Sequence, residues 1–155
     1  MTWSFQIKNG DLSQSGPGGF AAVTGQNKLV QDLKHWFLEP RGSDPFHPEW
    51  GSTLDGGELS DGTVIASSIG GTFTSEDLLV IEAEIRRILN AYQLQQAQRL
   101  GSETILYGGK NTFALGEILR TVNDVKIRQL GDVAVADLQL TTANGGLLNF
   151  TQPVA

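Results

Sequence analysis

The stretch Ser75-Glu76-Asp77-Leu78-Leu79-Val80-Ile81-Glu82-Ala83-Glu84-Ile85-Arg86-Arg87-Ile88-Leu89-Asn90-Ala91-Tyr92 decides the fold class of this chain. Leu78, Ile81, Ile85, Ile88 and Tyr92 step by three and four, which draws one apolar stripe down a helix. Ser75 is placed to cap it, and Glu76 and Asp77 fall in the first turn, where the helix dipole favours negative charge. Glu82 and Arg86 pair at i,i+4 on the outer side. The pattern runs to Leu100-Gly101, so the expected helix has about 25 residues and a length of roughly 38 Å. A helix of that length is the spine on which a sheet would pack.

Downstream the period changes from helical to alternating. Ile118, Arg120 and Val122 alternate, then Val125 and Ile127, with Asn123-Asp124 between them as a bulge or bend. Gly131-Asp132 makes a turn, after which Val133, Val135, Asp137 and Gln139 alternate with Ala134, Ala136, Leu138 and Leu140. Asn144-Gly145-Gly146 turns the chain again, and Leu147 to Thr151 returns. Upstream, Trp3 to Ile7 and the turn signal Asn9-Gly10 give an N-terminal β-hairpin within about residues 1–24. Gly25 to Leu38 reads as a shorter helix with Leu29, Leu33, Trp36 and Phe37 on one face and Pro40 as its stop. The expectation is an α+β fold in one domain, residues 1–155: a small antiparallel or mixed sheet on one long and one shorter helix.

Between the helices lies a long loop, about residues 39–74, whose first part is Glu39-Pro40-Arg41-Gly42-Ser43-Asp44-Pro45-Phe46-His47-Pro48-Glu49-Trp50-Gly51-Ser52. Three prolines stiffen it, and charged and aromatic residues alternate along it, the composition of a loop that presents side chains. Taken alone, Glu39 and Arg41 read as a local ion pair that locks the loop. Glu39-Pro40-Arg41 after a helix, followed by a Pro-rich turn ending in Trp50-Gly51-Ser52, resembles the E-P-R signature of the baseplate wedge, or sheath-initiator, family of contractile phage tails and related injection machines. The approach is similar too, through Val23-Thr24-Gly25, Leu29, Gln31-Asp32-Leu33 and Trp36-Phe37-Leu38, so the resemblance spans roughly residues 20–150. It implies a non-enzymatic structural protein of the virion tail baseplate, assembled in the host cytoplasm in about six copies around the tube, a closed ring of the kind symmetric assemblies form.

The resemblance also assigns surfaces. Glu39, Pro40, Arg41, Asp44 and Trp50 would dock onto neighbouring wedge proteins. Val135, Asp137, Gln139 and Asn149, in the C-terminal strands, would offer a sheet edge to the tail sheath protein, with the tube or hub as further neighbours. A terminal strand buried in its own sheet is the alternative for that region. The Gln-rich end of the long helix, Gln93, Gln95, Gln96, Gln98 and Arg99, offers another extension toward a partner.

Composition narrows the remaining classes. The chain has 155 residues, 39% of them hydrophobic and 18% charged, with net charge −6 and no basic patch, so neither nucleic acid nor an anionic membrane is an expected partner. No apolar run approaches the ~20 residues that span a bilayer, and the N-terminus lacks a signal-peptide pattern. Without cysteine there is no disulfide scaffold or thiolate zinc site. His35, His47, Asp44 and Glu49 match no metal-ligand spacing, and Trp36, Phe37, Phe46 and Trp50 read as core and loop anchors rather than a ligand cage. Gly108-Gly109-Lys110 lacks the rest of a phosphate loop, so no cofactor is expected.

Two alternatives remain. One is the equivalent baseplate component of a bacterial secretion or phage-derived injection machine. The other follows from a lysozyme-like label given to members of the family: a cell-wall glycoside hydrolase, for which Glu39, Asp44, Glu49, Asp55 and Glu58 are the candidate carboxylates.

Overall fold

The computed structural model describes residues 3–8, 11–16, 18–54, 56–58, 64–65, 73–106 and 113–154. The Asn9-Gly10 turn, Asp55, most of 59–72 and Gly108-Gly109-Lys110 lie outside them. The fold is α+β. Short strands β1 (Ser4–Phe5), β2 (Ile7–Lys8), β3 (Asp11–Leu12), β4 (Gln14–Gly16), β5 (Gly19–Phe20) and β6 (Ala22–Val23) lead into α1 (Gly25–Leu38). After the loop come β7 (Gly57–Glu58) and β8 (Val64–Ile65), then α2 (Ser75–Leu106), a 3₁₀ turn at Leu115–Glu117, and strands β9 (Leu119–Leu130), β10 (Val133–Thr142) and β11 (Leu147–Pro153). Among the described residues no helix is long and apolar enough to cross a membrane.

The N-terminal hairpin is more elaborate than its turn signal suggests. β1 pairs with β6 as a stem, while β2–β3 and β4–β5 branch from it as two small hairpins. Gln6, Ser13 and Ala21 close the junction through backbone bonds of 2.7–2.8 Å. The arm is fastened to α1 by Gln31, whose amide accepts from Ile7 N at 2.9 Å and donates to Phe5 O at 2.8 Å. The three residues of the Gln31-Asp32-Leu33 segment thus have separate structural tasks. Gln31 holds the arm, Asp32 accepts from Lys28 and the Tyr92 hydroxyl, and Leu33 is fully buried.

Both helices bury their stripes against one face of the β9–β10–β11 sheet. Leu29, Leu33, Trp36 and Phe37 of α1 and Ile81, Ile85, Ile88, Leu89 and Tyr92 of α2 meet Ala134, Ala136, Leu138 and Leu140 of β10. Each fully buried leucine or isoleucine contributes about 1.5–3 kcal/mol, so this seam accounts for most of the cohesion of the fold. The bulge expected at Asn123-Asp124 is present: Gln139 faces Asp124 while Leu140 faces Val122, leaving Asn123 as the extra residue. α2 departs from expectation at both ends. Thr74, not Ser75, is its cap, because Asp77 sits three residues on and the two exchange bonds: Thr74 N to Asp77 Oδ2 at 2.7 Å, and Asp77 N to Thr74 Oγ1 at 3.2 Å. The helix also passes through Gly101, which is exposed with nothing crowding it, and gives 32 residues rather than 25. A single glycine costs a helix only about 1 kcal/mol, too little to end one that packs well.

The N-terminus of α1 lacks a side-chain cap from Thr24. Glu117 takes that place from far along the chain. Its carboxylate, 2% exposed, accepts from Gly25 N at 3.1 Å and Ala114 N at 3.3 Å, while Gln96 Nε2 holds the Glu117 carbonyl at 2.8 Å. A buried carboxylate at a helix N-terminus meets both an orphan donor and the positive end of the dipole.

Candidate docking surfaces

Pro40 ends α1, whose last bond is Glu39 N to His35 O at 2.8 Å, and the chain turns into the Glu39–Ser52 loop. The two ends of the loop are tied together by Ser52 N to Glu39 O at 2.7 Å and Arg41 N to Ser52 O at 2.9 Å. Inside it, Ser43 N reaches Pro40 O at 3.1 Å, Asp44 Oδ1 accepts from Phe46 N at 2.8 Å, and Trp50 N reaches His47 O at 3.0 Å. The His47 ring stacks on Trp50 at 3.7 Å, and Trp50 leans on Trp36 at 5.4 Å, which joins the loop to the core. Gly51 has φ +85°, and a Cβ there would meet Glu39 O at 2.6 Å. The loop is therefore internally braced, and it needs glycine at that position.

Sequence periodicity gives no hint of the clamp that seats this loop on α2. Arg87 Nη2 donates to Gly51 O at 2.7 Å, and Glu84 Oε1 accepts from Thr53 N at 2.9 Å. Arg87 and Glu84 also pair, with Nε to Oε2 at 2.7 Å. Burial pushes the Glu84 carboxyl up, but the Arg87 hydrogen bond and charge and the Thr53 amide together outweigh it and hold the group below its ordinary value. The folded state thus binds this proton less readily than the unfolded chain. The clamp's contribution is complete above about pH 4.5, the ordinary value, and is lost as pH falls through the lowered one. The stability gap between the native chain and Glu84→Gln is expected to close as pH is taken from 6 toward 3 in urea melts. A gap independent of pH would remove the carboxylate from the clamp.

The residues singled out in the loop separate into two groups. Glu39 and Arg41 form no ion pair: the Glu39 carboxylate accepts from Ser43 Oγ at 3.1 Å, and among the described residues the Arg41 guanidinium has no hydrogen-bond or ionic partner. Trp36 and Phe37 are core residues and Trp50 is a half-buried anchor, whereas Phe46 is 87% exposed at the loop tip. Phe46 sits between Pro45 and His47-Pro48, and its amide is bonded to Asp44 Oδ1. His35 lies on α1 and His47 on Trp50, and among the described residues no three acidic or histidine side chains are grouped to hold a metal.

At the C-terminal sheet the order is β11-β10-β9, so β10 is central and both of its sides are paired. This corrects the edge role for Val135, Asp137 and Gln139, all of which lie on β10. Val135 is only 4% exposed between its cross-strand neighbours Arg128 and Pro153. Asp137 is held across three strands, accepting from Arg128 Nε at 2.5 Å and Thr151 Oγ1 at 2.7 Å, and the hydrogen bond from Arg128 leads in holding its carboxyl below the ordinary value. Gln139 is exposed opposite Asn149.

Two strands remain as edges, and they differ. The bonds Thr142 N to Gly146 O at 3.0 Å and Val154 N to Ala134 O at 2.9 Å fix the phase of the β10–β11 ladder. Leu148, Phe150 and Gln152 face β10, while the amides of Leu147, Asn149 and Thr151 face outward. Along the first half of β9, outward groups are occupied by α2. Gln96 Oε1 accepts from Leu119 N at 3.0 Å, Gln93 Nε2 donates to Arg120 O at 2.9 Å, and Arg86 reaches Val125 O at 3.5 Å. Gln93 and Gln96 are therefore spent inside the fold and are not a free end for a partner. The helix shields the first half of β9, whereas among the described residues the outward amides of β11 carry no hydrogen bond along the whole strand. No family model, curated protein or solved structure matches this chain.

Proposed function

We propose that the chain is a structural, non-enzymatic component of a contractile-tail baseplate, docking to wedge neighbours through the Glu39–Ser52 loop and seeding sheath assembly along β11. The observation that carries the reading is the contrast inside the loop between a braced backbone and, among the described residues, an Arg41 guanidinium without a partner and an exposed Phe46. An exposed large aromatic beside a half-buried arginine on a stiff support is the chemistry of interface hot spots. The resemblance supplies the setting: a ring of about six copies at the virion tail, assembled in the host cytoplasm. The same architecture would serve in a secretion or injection machine. Asn149 keeps its place as the edge residue.

Arg41→Ala, Glu39→Ala and Phe46→Ala are expected to melt within about 2 °C of the native chain, because surface changes without buried partners stay near ±0.5 kcal/mol. Incorporation into baseplates should nevertheless fail for Arg41→Ala, since truncating one partner of a buried interfacial charge pair costs about 2–5 kcal/mol. The check is melting temperature against particle composition. Arg41→Ala subunits that assemble normally would remove the docking role.

Purified protein is expected to leave peptidoglycan and chitin oligomers intact over long incubations. Turnover that disappears in Glu39→Gln or Glu49→Gln would instead establish the hydrolase.

A further inference from the structure

Behind the docking loop, between α1 and α2, lies a cleft of about 390 Å³ whose walls include Trp36, Trp50 and Tyr92. We propose that this cleft receives a cationic side chain, an arginine, from the docked partner; the inference rests on the loop being a docking surface. Glu39 and Asp44 line the cleft, and each commits one carboxylate oxygen to the loop itself, Glu39 Oε1 to Ser43 and Asp44 Oδ1 to Phe46 N. Among the described residues neither is paired with a cation.

The cations that also line the cleft are engaged or displaced along it. Lys28 is bonded to Asp32, and Arg99 lies over the Phe113 ring at 5.5 Å. Arg99 is two turns beyond Tyr92, about 10 Å along α2, whereas the loop is clamped to α2 on the other side of Tyr92, at Glu84 and Arg87. The end of the cleft beside the loop is thus acidic and aromatic, and the far end is basic.

A guanidinium suits the acidic end better than an ammonium does. It is planar, it lies against aromatic rings, and it bonds carboxylate oxygens in pairs. Arg41 is not among the residues that line the cleft. The loop would therefore offer its own cation on one side and two carboxylates on the other. Such reciprocal polarity fixes the orientation of a partner as well as its affinity.

The test uses the purified chain, with N-acetyl-arginine methylamide as the probe and the uncharged N-acetyl-citrulline methylamide as its isostere. The indole N–H signals are followed by NMR. Trp36 and Trp50 should move saturably with the arginine probe while Trp3, outside the cleft, stays in place. The double variant Glu39→Gln, Asp44→Asn keeps both loop-bonding oxygens, and it should bind about tenfold more weakly. Movement that does not saturate, that is equal with citrulline, or that survives the double variant unchanged would overturn the proposal. The two readings fail separately. Arginine binding alongside normal assembly of Arg41→Ala would remove the docking loop alone, and blocked assembly with no arginine binding would remove the cleft alone.

Discussion

Replacing Gly51 with alanine is expected to lower stability by about 1–3 kcal/mol from the left-handed backbone alone, or roughly 2–12 °C in melting temperature for a chain of this size. Contact adds to that cost. The new Cβ would sit 2.6 Å from Glu39 O and 2.8 Å from Pro40 O, both backbone atoms with no rotamer to retreat into. Relief requires the two ends of the loop to separate. That would break Ser52 N to Glu39 O and shift Gly51 O away from Arg87. Gly42→Ala is the internal comparison, because Gly42 also has positive φ, +78°, but its nearest atom would be 3.9 Å away. Gly51→Ala should therefore melt clearly lower than Gly42→Ala and lose docking as well. Equal melting temperatures would mean that the loop yields freely and is not a rigid presenter.

Asn149→Pro is expected to give a folded subunit that enters the baseplate but carries no sheath. The Asn149 amide faces away from β10, so removing it breaks no bond in the subunit's own sheet. An incoming strand would lose a ladder donor at the middle of the three outward amides. Asn149→Ala keeps the amide and should assemble. Phe150→Pro, one residue along, removes an amide that faces β10 and should melt clearly below Asn149→Pro. Electron microscopy of assembled tails is the check. Sheathed tails from Asn149→Pro would show that β11 is not the seeding edge.

Periodicity made several features legible in advance. The two helical stripes follow from local pattern, because burial imposes a period of about 3.6 on helix residues and about 2 on strand residues. The turns at Gly131-Asp132 and Asn144-Gly145-Gly146 and the Asn123 bulge fall where that alternation breaks. Sheet order does not leave such a trace. β9, β10 and β11 each alternate or nearly so, and nothing in Val135, Asp137 or Gln139 marks their strand as central. Polar residues that serve the fold were equally hidden. Glu84 and Arg87 carry no local signal, and Gln93 and Gln96 read as an extension toward a partner, yet each closes a backbone group elsewhere in the chain. Phe46 departs in the opposite direction, since its aromaticity suggests an anchor and it stands exposed at the loop tip.

The cap on α1 sets an order of events during synthesis. Gly25 and Glu117 are 92 residues apart, so ribosomes adding about 5–20 residues per second leave the first helix without its carboxylate for about 5–20 s. The Gln96 side chain that holds the Glu117 carbonyl also reaches the growing chain after that helix. The early helix must therefore wait, exposed and frayed at its start, until the chain has been made past Glu117. In the finished protein the same contact works as a latch between an earlier and a later part of the chain, and a ribosome-stalled fragment ending before Glu117 would show helix α1 unprotected in hydrogen exchange.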